Sequence, residues 1–480
     1  MSDTAQQVKE KVDIADFIRA YVPLTPAGKN LKGNCPFHKE KTPSFIVSPD
    51  RQMWHCFGCS LGGDIFAFLM RYENIEFFEA LKVLAEKAGI EVAKSFGPDQ
   101  RALNALYDAN RLAKEFYKAY LRSTQPAPQK ACDYLQSRGL KPETVLEFEI
   151  GLAPEHPESL TKFLLGKGFP IQTIEKAGLT VKTERGTYRD RFRERVMFPL
   201  FNQFGKVVAF TGRIVPWVNS ENLGKYVNSP ETQIFNKSKL LYGLDKSKNA
   251  IRDSKTAVLV EGQMDFIMSW QDGVRNLVAT SGTALTSEHL KSLRRMAETL
   301  ILSFDQDAAG KMAAERTIDL ANAADFSIKV LLPPADSKAK DPADIVQANP
   351  GMMAKLVSES RSALEYLLDH YQLDNKSDTL AWKKNIRLIL GRVRALASAV
   401  DRSNWLKQIS DRSGIDQPSL EQEMLDMKTE VPKITEDEIP DKTKSQQFSR
   451  RELISQRIVS LAMNSRPLLE AMKGHSADLQ

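Results

Sequence analysis

Apolar positions change their spacing several times along the chain, and each change marks a different kind of element. In "GGDIFAFLMRYENIEFFEALKVLAEKAGI" they recur at helical spacing, and "AGI" supplies a stop near residue 95. "KSFGPDQ" then reads as a linker. "RALNALYDANRLAKEFYKAYLRS" is a long amphipathic helix, broken by "TQPAPQ". Helices mixed with short strands follow to about residue 250, where "VMFPLFNQFGKVVAFTGRIV" predicts a hairpin turning at "NQFGK". From residue 256 the pattern alternates: strands in "TAVLVEG", "NLVATSG", "TLILSFDQD" and "SIKVLLPP" are separated by helices in "MDFIMSWQDG", "SEHLKSLRRMAE" and "AAERTIDLANAA". Such alternation predicts βαβ units and a parallel sheet. After residue 352 the chain reads as all helix. "KTEVPKITEDEIPDKTKSQQFSR" is polar and charged with few groups to bury, so it reads as a flexible linker. A last helical stretch, "RELISQRIVSLAMNSRPLLEAM", follows it, and there is no internal repeat.

Composition narrows this picture only slightly. With 480 residues, 42% of them hydrophobic, the chain can bury more than one core. The 67 Lys and Arg against 61 Asp and Glu leave a mild basic excess. That excess permits a nucleic-acid partner without requiring one. There is no apolar run of about eighteen residues to span a membrane. The charged N-terminus has no apolar core of a secretory signal. Four cysteines in so long a chain do not make a disulfide scaffold. A cytoplasmic location is the expectation.

Three of those cysteines carry chemistry. Cys35 and His38 in "NCPFHKEKTPSF" form one close pair, and Cys56 and Cys59 in "MWHCFGC" form another. Two such tight turns, each presenting two ligands, complete a tetrahedron around zinc. "SFIVS" and "QMWHCF" between them read as strands, so the unit is expected to be a zinc ribbon. A sheet this small buries too little apolar area unaided, so the metal would supply folding free energy. His55 competes with His38. It directly precedes Cys56, however, and adjacent strand residues face opposite ways, which favours His38. Around the site lie Lys39, Lys41, Arg51, Phe45, Trp54 and Phe57. Cations mixed with rings suit single-stranded nucleic acid, and equally the rings suit an ordinary small core.

Acidic residues mark the ends of three expected strands: Glu261 in "VLVEGQMD", Asp305 and Asp307 in "LSFDQDAAG", and Asp341 with Asp344 in "KDPAD". The carboxyl ends of parallel strands face one crevice. Carboxylates gathered there repel one another unless cations neutralise them, and hard oxygen ligands suit Mg²⁺ or Mn²⁺. Two such ions serve phosphoryl transfer. Any one of these acids also reads as a helix N-cap after a strand. "DQDAAG" is no EF-hand, because Ala309 and Arg316 stand where that loop needs oxygen ligands. No phosphate-binding G-x-x-x-x-G-K-[ST] loop is present.

In these motifs and their order the chain resembles the bacterial DnaG-type primases. "CPFHKEKTPSF" and "CFGC" look like the family's zinc-binding domain. "RFRERVMFP", "GRI" and "KYVNSPET" look like the basic part of its RNA polymerase domain. "VEGQMD", "DQDAAG" and "DPAD" look like its Toprim fold. The resemblance implies a multidomain α/β architecture: a zinc ribbon over 1–97, a mixed α+β basic subdomain over 98–250, a Toprim parallel-sheet subdomain over 251–351 and helices over 352–427. A linker over 428–449 would lead to part of a helicase-binding helical region over 450–480. The implied activity is synthesis of short RNA primers from ribonucleoside triphosphates on single-stranded DNA. It implies one structural Zn²⁺ and two catalytic Mg²⁺ or Mn²⁺, with Glu261, Asp305 and Asp307 as ligands and Asp341 as a further acidic contact. Arg191, Arg193, Arg195, Arg213, Lys225 and Asn228 would form the surface for template and nucleotide phosphates, since Arg forks suit phosphate oxygens. "RDRFRER" on its own has a solvated basic face as its lesser reading.

Two features depart from the family pattern. "DPAD" spaces its acids three apart where some members space them two apart, which leaves the role of Asp344 open. The stretch after the linker is also shorter than the family's helicase-binding domain, so helicase contact is expected to be weak or incomplete. The rival functions are another Toprim enzyme, such as a nuclease or topoisomerase, and a non-catalytic zinc-dependent binding protein. The full set of carboxylates argues against the last.

Overall fold

Alternation of inward and outward side chains builds the N-terminal module. Strands β1 (Thr25–Ala27), β2 (Asn30–Gly33), β3 (Phe45–Ser48), β4 (Met53–Cys56) and β5 (Gly62–Gly63) form one antiparallel sheet in sequence order. On β4, Trp54 and Cys56 point inward while Met53 and His55 point out. Trp54 stacks on Phe45 at 5.2 Å between ring centres, and Phe37 and Phe68 close around them. Phe45 and Trp54 are therefore core, and of the two sequence readings the core one holds for them. Helices Ile65–Glu73 and Phe77–Lys87 cover the sheet, splitting the single helical stretch of the sequence in two.

This is a computed structural model, and it describes residues 3–427 apart from 39, 41, 74, 76, 91–97, 219–223, 306, 335–338 and 397. Lys39, Lys41 and the expected linker and helices over 428–480 lie outside the described residues. No described helix is long and apolar enough to cross a membrane.

The middle of the chain forms a second antiparallel sheet. Its strands are β6 (Gly151–Ala153), β9 (Arg195–Phe201), β10 (Val207–Ile214) and β11 (Tyr226–Asn228), ordered β11-β10-β9-β6. β7 (Thr180–Lys182) and β8 (Tyr188–Asp190) pair separately. The expected hairpin is β9–β10, and Asn202 Oδ1 shapes its turn by accepting from the amides of Phe204 and Lys206. β10 is buried along its whole length, partly beneath the long helix Pro98–Leu121.

The third sheet holds β12 (Thr256–Val260), β13 (Leu277–Ala279), β14 (Thr299–Ser303) and β15 (Ser327–Val330) in parallel, ordered β13-β12-β14-β15. Helices Gln263–Gln271, Ser287–Arg294 and Ala308–Ala323 connect them, and the strands are apolar because both faces are covered. A short strand β16 (Arg361–Ser362) joins antiparallel to β15. This corrects the all-helical expectation after residue 352: two residues are too few to show a period. The helices beyond it clamp onto helix Ala308–Ala323, where Arg392 meets Glu315 at 2.6 Å and Asp319 at 2.9 Å.

The N-terminal module packs on the rest through residues no motif contains. The Arg252 guanidinium sits 5.7 Å from the Tyr21 ring and 5.6 Å from the Tyr72 ring, and pairs with Glu73 at 3.5 Å. Arg295 donates to the Tyr72 carbonyl at 2.7 Å.

Candidate functional site

Two turns bring Cys35, His38, Cys56 and Cys59 together, with their ligand atoms all within 4.8 Å of one another. Cys35 Sγ lies 3.8 Å from Cys59 Sγ, and Cys56 Sγ lies 3.7 Å from His38 Nδ1. A tetrahedral zinc with ordinary bond lengths requires about 3.8 Å between sulfurs and about 3.6 Å from sulfur to nitrogen. The quartet fits that ion, with Nδ1 as the His38 donor. Its Nε2 faces Glu40 Oε2 at 3.3 Å. A carboxylate behind a ligating imidazole fixes its tautomer. Glu40 is itself held by the amides of Cys35 at 2.7 Å and Ser44 at 3.0 Å. Nothing in the residue spacing marked Glu40. Gly58 in the second turn is required sterically, because a Cβ there would sit 2.5 Å from His38 Nε2. His55 is excluded from the quartet: it points outward and meets the Phe57 ring at 4.7 Å.

The carboxylates collect where the parallel strands end, and their surroundings sort them into two kinds. Asp307 caps helix Ala308–Ala323, accepting the Gly310 amide at 2.8 Å. Asp341 caps helix Pro342–Ala348, accepting the Asp344 amide at 2.7 Å. Asp344 Oδ2 accepts the Lys340 amide at 3.3 Å. Glu261 and Asp305 stand at the ends of the two central strands and cap neither of the helices that follow them. Glu261 Oε1 accepts the Asp305 amide at 3.2 Å, which holds the two loops side by side. Burial, then the charges of Glu261, Asp341 and Asp307, push the Asp305 carboxyl up to about 7. Burial, with Asp307 nearby, raises Glu261 as well. This is an all-oxygen, mutually repelling donor set of the kind that hard divalent cations neutralise.

Two further residues build this cluster and were not singled out from the sequence. Asp265 lies in helix Gln263–Gln271, where the apolar pattern hides it. Its carboxylate accepts the Gly262 amide at 3.1 Å and the Ala343 amide at 3.4 Å, tying the Glu261 loop to the Asp341 loop. Burial and then Asp341 and Asp305 raise it to about 8. Gly310 ends the "DQDAAG" motif because a Cβ there would overlap the Asp305 carbonyl oxygen.

The basic residues divide. Arg193 and Lys225 are exposed. Arg191 is half-buried, with Nε lacking a partner among the described residues. Arg213 is held between the Tyr134 and Tyr226 rings, 5.5 Å from each, and donates to the Tyr226 hydroxyl at 3.2 Å. Arg195 corrects the expectation of a phosphate-facing side chain. It is buried, and its Nη1 donates to the carbonyls of Gly212, Gly224 and Lys225 at 3.0–3.3 Å, so it holds the β10–β11 connection. Asn228 is likewise engaged at both ends of its amide, with Thr211 and with the Ser281 carbonyl.

Comparisons with known proteins agree with this layout. Residues 1–99 match the family model of the CHC2 zinc finger, 116–248 that of the DNA primase catalytic core N-terminal domain, and 258–346 a Toprim-like domain. A DNA primase of Halalkalibacterium halodurans is 37% identical over 431 residues, covering 88% of this chain and 70% of the relative. One of Deinococcus radiodurans is 42% identical over 331 residues, covering 68% of this chain and 55% of the relative. The fold is similar to the crystal structure of the zinc-binding and RNA polymerase domains of Aquifex aeolicus primase, with a TM-score of 0.59, 29% identity, and coverage of 88% of this chain and 99% of that one. It is also similar to a DnaG primase catalytic domain bound to single-stranded DNA, with a TM-score of 0.56, 27% identity, and coverage of 67% and 99%.

Proposed function

This chain belongs to the bacterial DNA primase family, and from that premise we propose which of its residues make the RNA primer. Like its relatives it is a DNA-directed RNA polymerase of replication that works on a nucleic-acid template, with a structural zinc site in its N-terminal module and a divalent-metal site in its Toprim fold. Cys35, His38, Cys56 and Cys59 hold one Zn²⁺. Glu261, Asp305 and Asp307 hold two Mg²⁺ or Mn²⁺, with Asp341 beside them. Those ions, when bound, neutralise charge on the phosphates and lower the pKa of the attacking hydroxyl. Asp265 holds two of the carboxylate loops in register. Arg191, Arg193, Arg213 and Lys225 meet phosphates of the template and of incoming ribonucleoside triphosphates. Of the rings expected to stack on bases, Phe45, Trp54 and Phe57, only Phe57 is exposed, and with Met53 and His55 it forms the outer row that offers a stacking surface. The replicative helicase is engaged weakly through residues 450–480, and the protein works at the cytoplasmic replisome.

The observation that carries this reading is the joined pair Glu261 and Asp305, carboxylates that neither of the following helices uses as its cap. The test is incubation with Mg²⁺ and single-stranded DNA, with and without ribonucleoside triphosphates. The expected result is short RNA products that need both nucleotides and metal. Cleavage of the DNA by metal alone would favour the nuclease reading.

A further inference from the structure

A largely buried line of hydrogen bonds joins the basic antiparallel sheet to the Toprim sheet, with Asn228 its part-exposed member. Gln263, two residues after Glu261, donates from Nε2 to Thr211 Oγ1 at 2.9 Å. The Thr211 hydroxyl donates its one proton to Asn228 Oδ1 at 2.7 Å. Asn228 Nδ2 then donates to the Ser281 carbonyl at 3.1 Å. Thr211 on β10 lies directly opposite Asn228 on β11, and Ser281 follows β13. Gln263, Thr211 and Ser281 are all buried. The order of donors has one solution. With Asn228 flipped, its carbonyl would face the Ser281 carbonyl and the Thr211 proton would lose its acceptor. Ser281 has φ +60°, a left-handed conformation that a serine rarely keeps unless its surroundings hold it.

The core between the two sheets is apolar, with Val196, Val208, Val260 and Phe266 in one cluster. Such packing is non-directional and does not by itself set how one sheet sits on the other. The hydrogen-bonded line does. Both ends lie in the Toprim fold, at Gln263 two residues from Glu261 and at Ser281 after β13, and the middle, Thr211 and Asn228, lies in the sheet that carries Arg213, next to Lys225.

We infer that Gln263, Thr211 and Asn228 are positioning residues that fix the carboxylate site against the template-binding sheet. This rests on the polymerase function proposed above and replaces the sequence-based assignment of Asn228 to phosphate contact. Reactions that depend on near-attack geometry lose about 10²-fold in rate for a displacement of about 1 Å. The loss should therefore fall on turnover and not on template affinity.

The test uses the full chain with T211V, T211S, Q263L, N228D and the double variant T211V/Q263L. Ribonucleotide incorporation gives kcat and KM, fluorescence anisotropy gives the Kd for single-stranded DNA, and thermal melting reports folding. T211V keeps the volume and removes the hydroxyl. It should lower kcat by roughly 10- to 100-fold, with Kd within about twofold. T211S, which keeps the hydroxyl, should recover most of the rate. The double variant should lose little beyond T211V, since both changes break one line. N228D accepts from Thr211 but cannot donate to Ser281, and should lower kcat even if T211V does not fold. Wild-type kcat in N228D or in folded T211V would overturn the inference, as would a T211S rate no better than T211V. A parallel loss of template affinity in N228D would restore Asn228 to phosphate contact. Wild-type enzyme that makes no primer would instead count against the proposed function itself.

Discussion

At the scale of single residues, the two histidines near the cysteines separate a metal ligand from a surface group. His38 Nδ1 faces Cys56 Sγ, while His55 lies against Phe57 on the outside of β4. H38A should therefore drop zinc content from about one per chain to near zero and unfold the N-terminal module, since metal binding is folding free energy there. H55A should keep its zinc, as read by atomic absorption and thermal melting. The ligand choice was legible because Cys56 and Trp54 share a face of β4 and His55 takes the other. The same parity places Trp54 in the core once Cys56 is assigned to the metal. Arg195 was not legible. An arginine in a basic run looks like a phosphate contact until three carbonyls are found around it. Asp265 was hidden for the opposite reason, as one acid inside an apolar helical stretch.

Among the elements, two helix starts show how local geometry serves the site and the fold. Helix Ala308–Ala323 begins so close to Asp305 that Gly310 has no room for a Cβ. G310A should destabilise the protein by about 1–3 kcal/mol through overpacking and displace the Asp305 backbone. Primer synthesis should then fall more than template binding does, checked by denaturant titration beside an incorporation assay. Helix Ser287–Arg294 opens on a buried histidine. His289 Nδ1 accepts the Thr286 amide at 3.3 Å, and Nε2 meets the Lys237 carbonyl at 3.0 Å. Burial holds this imidazole neutral, pushed down to about 4. The unfolded chain takes up that proton below about pH 6.5 while the folded one does not. Its contribution is thus fully present above pH 6.5 and is lost as pH falls toward 4, by at most about 3 kcal/mol. H289Q should flatten the pH dependence of unfolding in that window, and an unchanged slope would assign the acid sensitivity elsewhere. Period and length made the parallel strands and their helices legible. β16 escaped because two residues carry no period, and its pairing partner lies some thirty residues earlier in the chain.

Over the whole molecule, the three larger sheets among the described residues, two antiparallel and one mainly parallel, divide the work. The first surrounds a Cys₃His quartet, the second carries arginines and tyrosines, and the third gathers carboxylates at its strand ends. Arg252, between Tyr21 and Tyr72, seats the first on the others. The order of these parts was legible from motifs. Their mutual seating was not, because it depends on single long-range contacts with no sequence period. The central claim is that Glu261 and Asp305 carry the metal-dependent chemistry while other residues hold the template. It is tested most directly by measuring ribonucleotide incorporation and single-stranded DNA affinity together, in Mg²⁺, for wild type, E261A and D305A. Removing a ligand takes away several kcal/mol of charge stabilisation, so each variant should lose on the order of 10²- to 10³-fold or more in rate with template Kd within about twofold. Primer synthesis near the wild-type rate in either variant, or a matching collapse of template affinity, would contradict it.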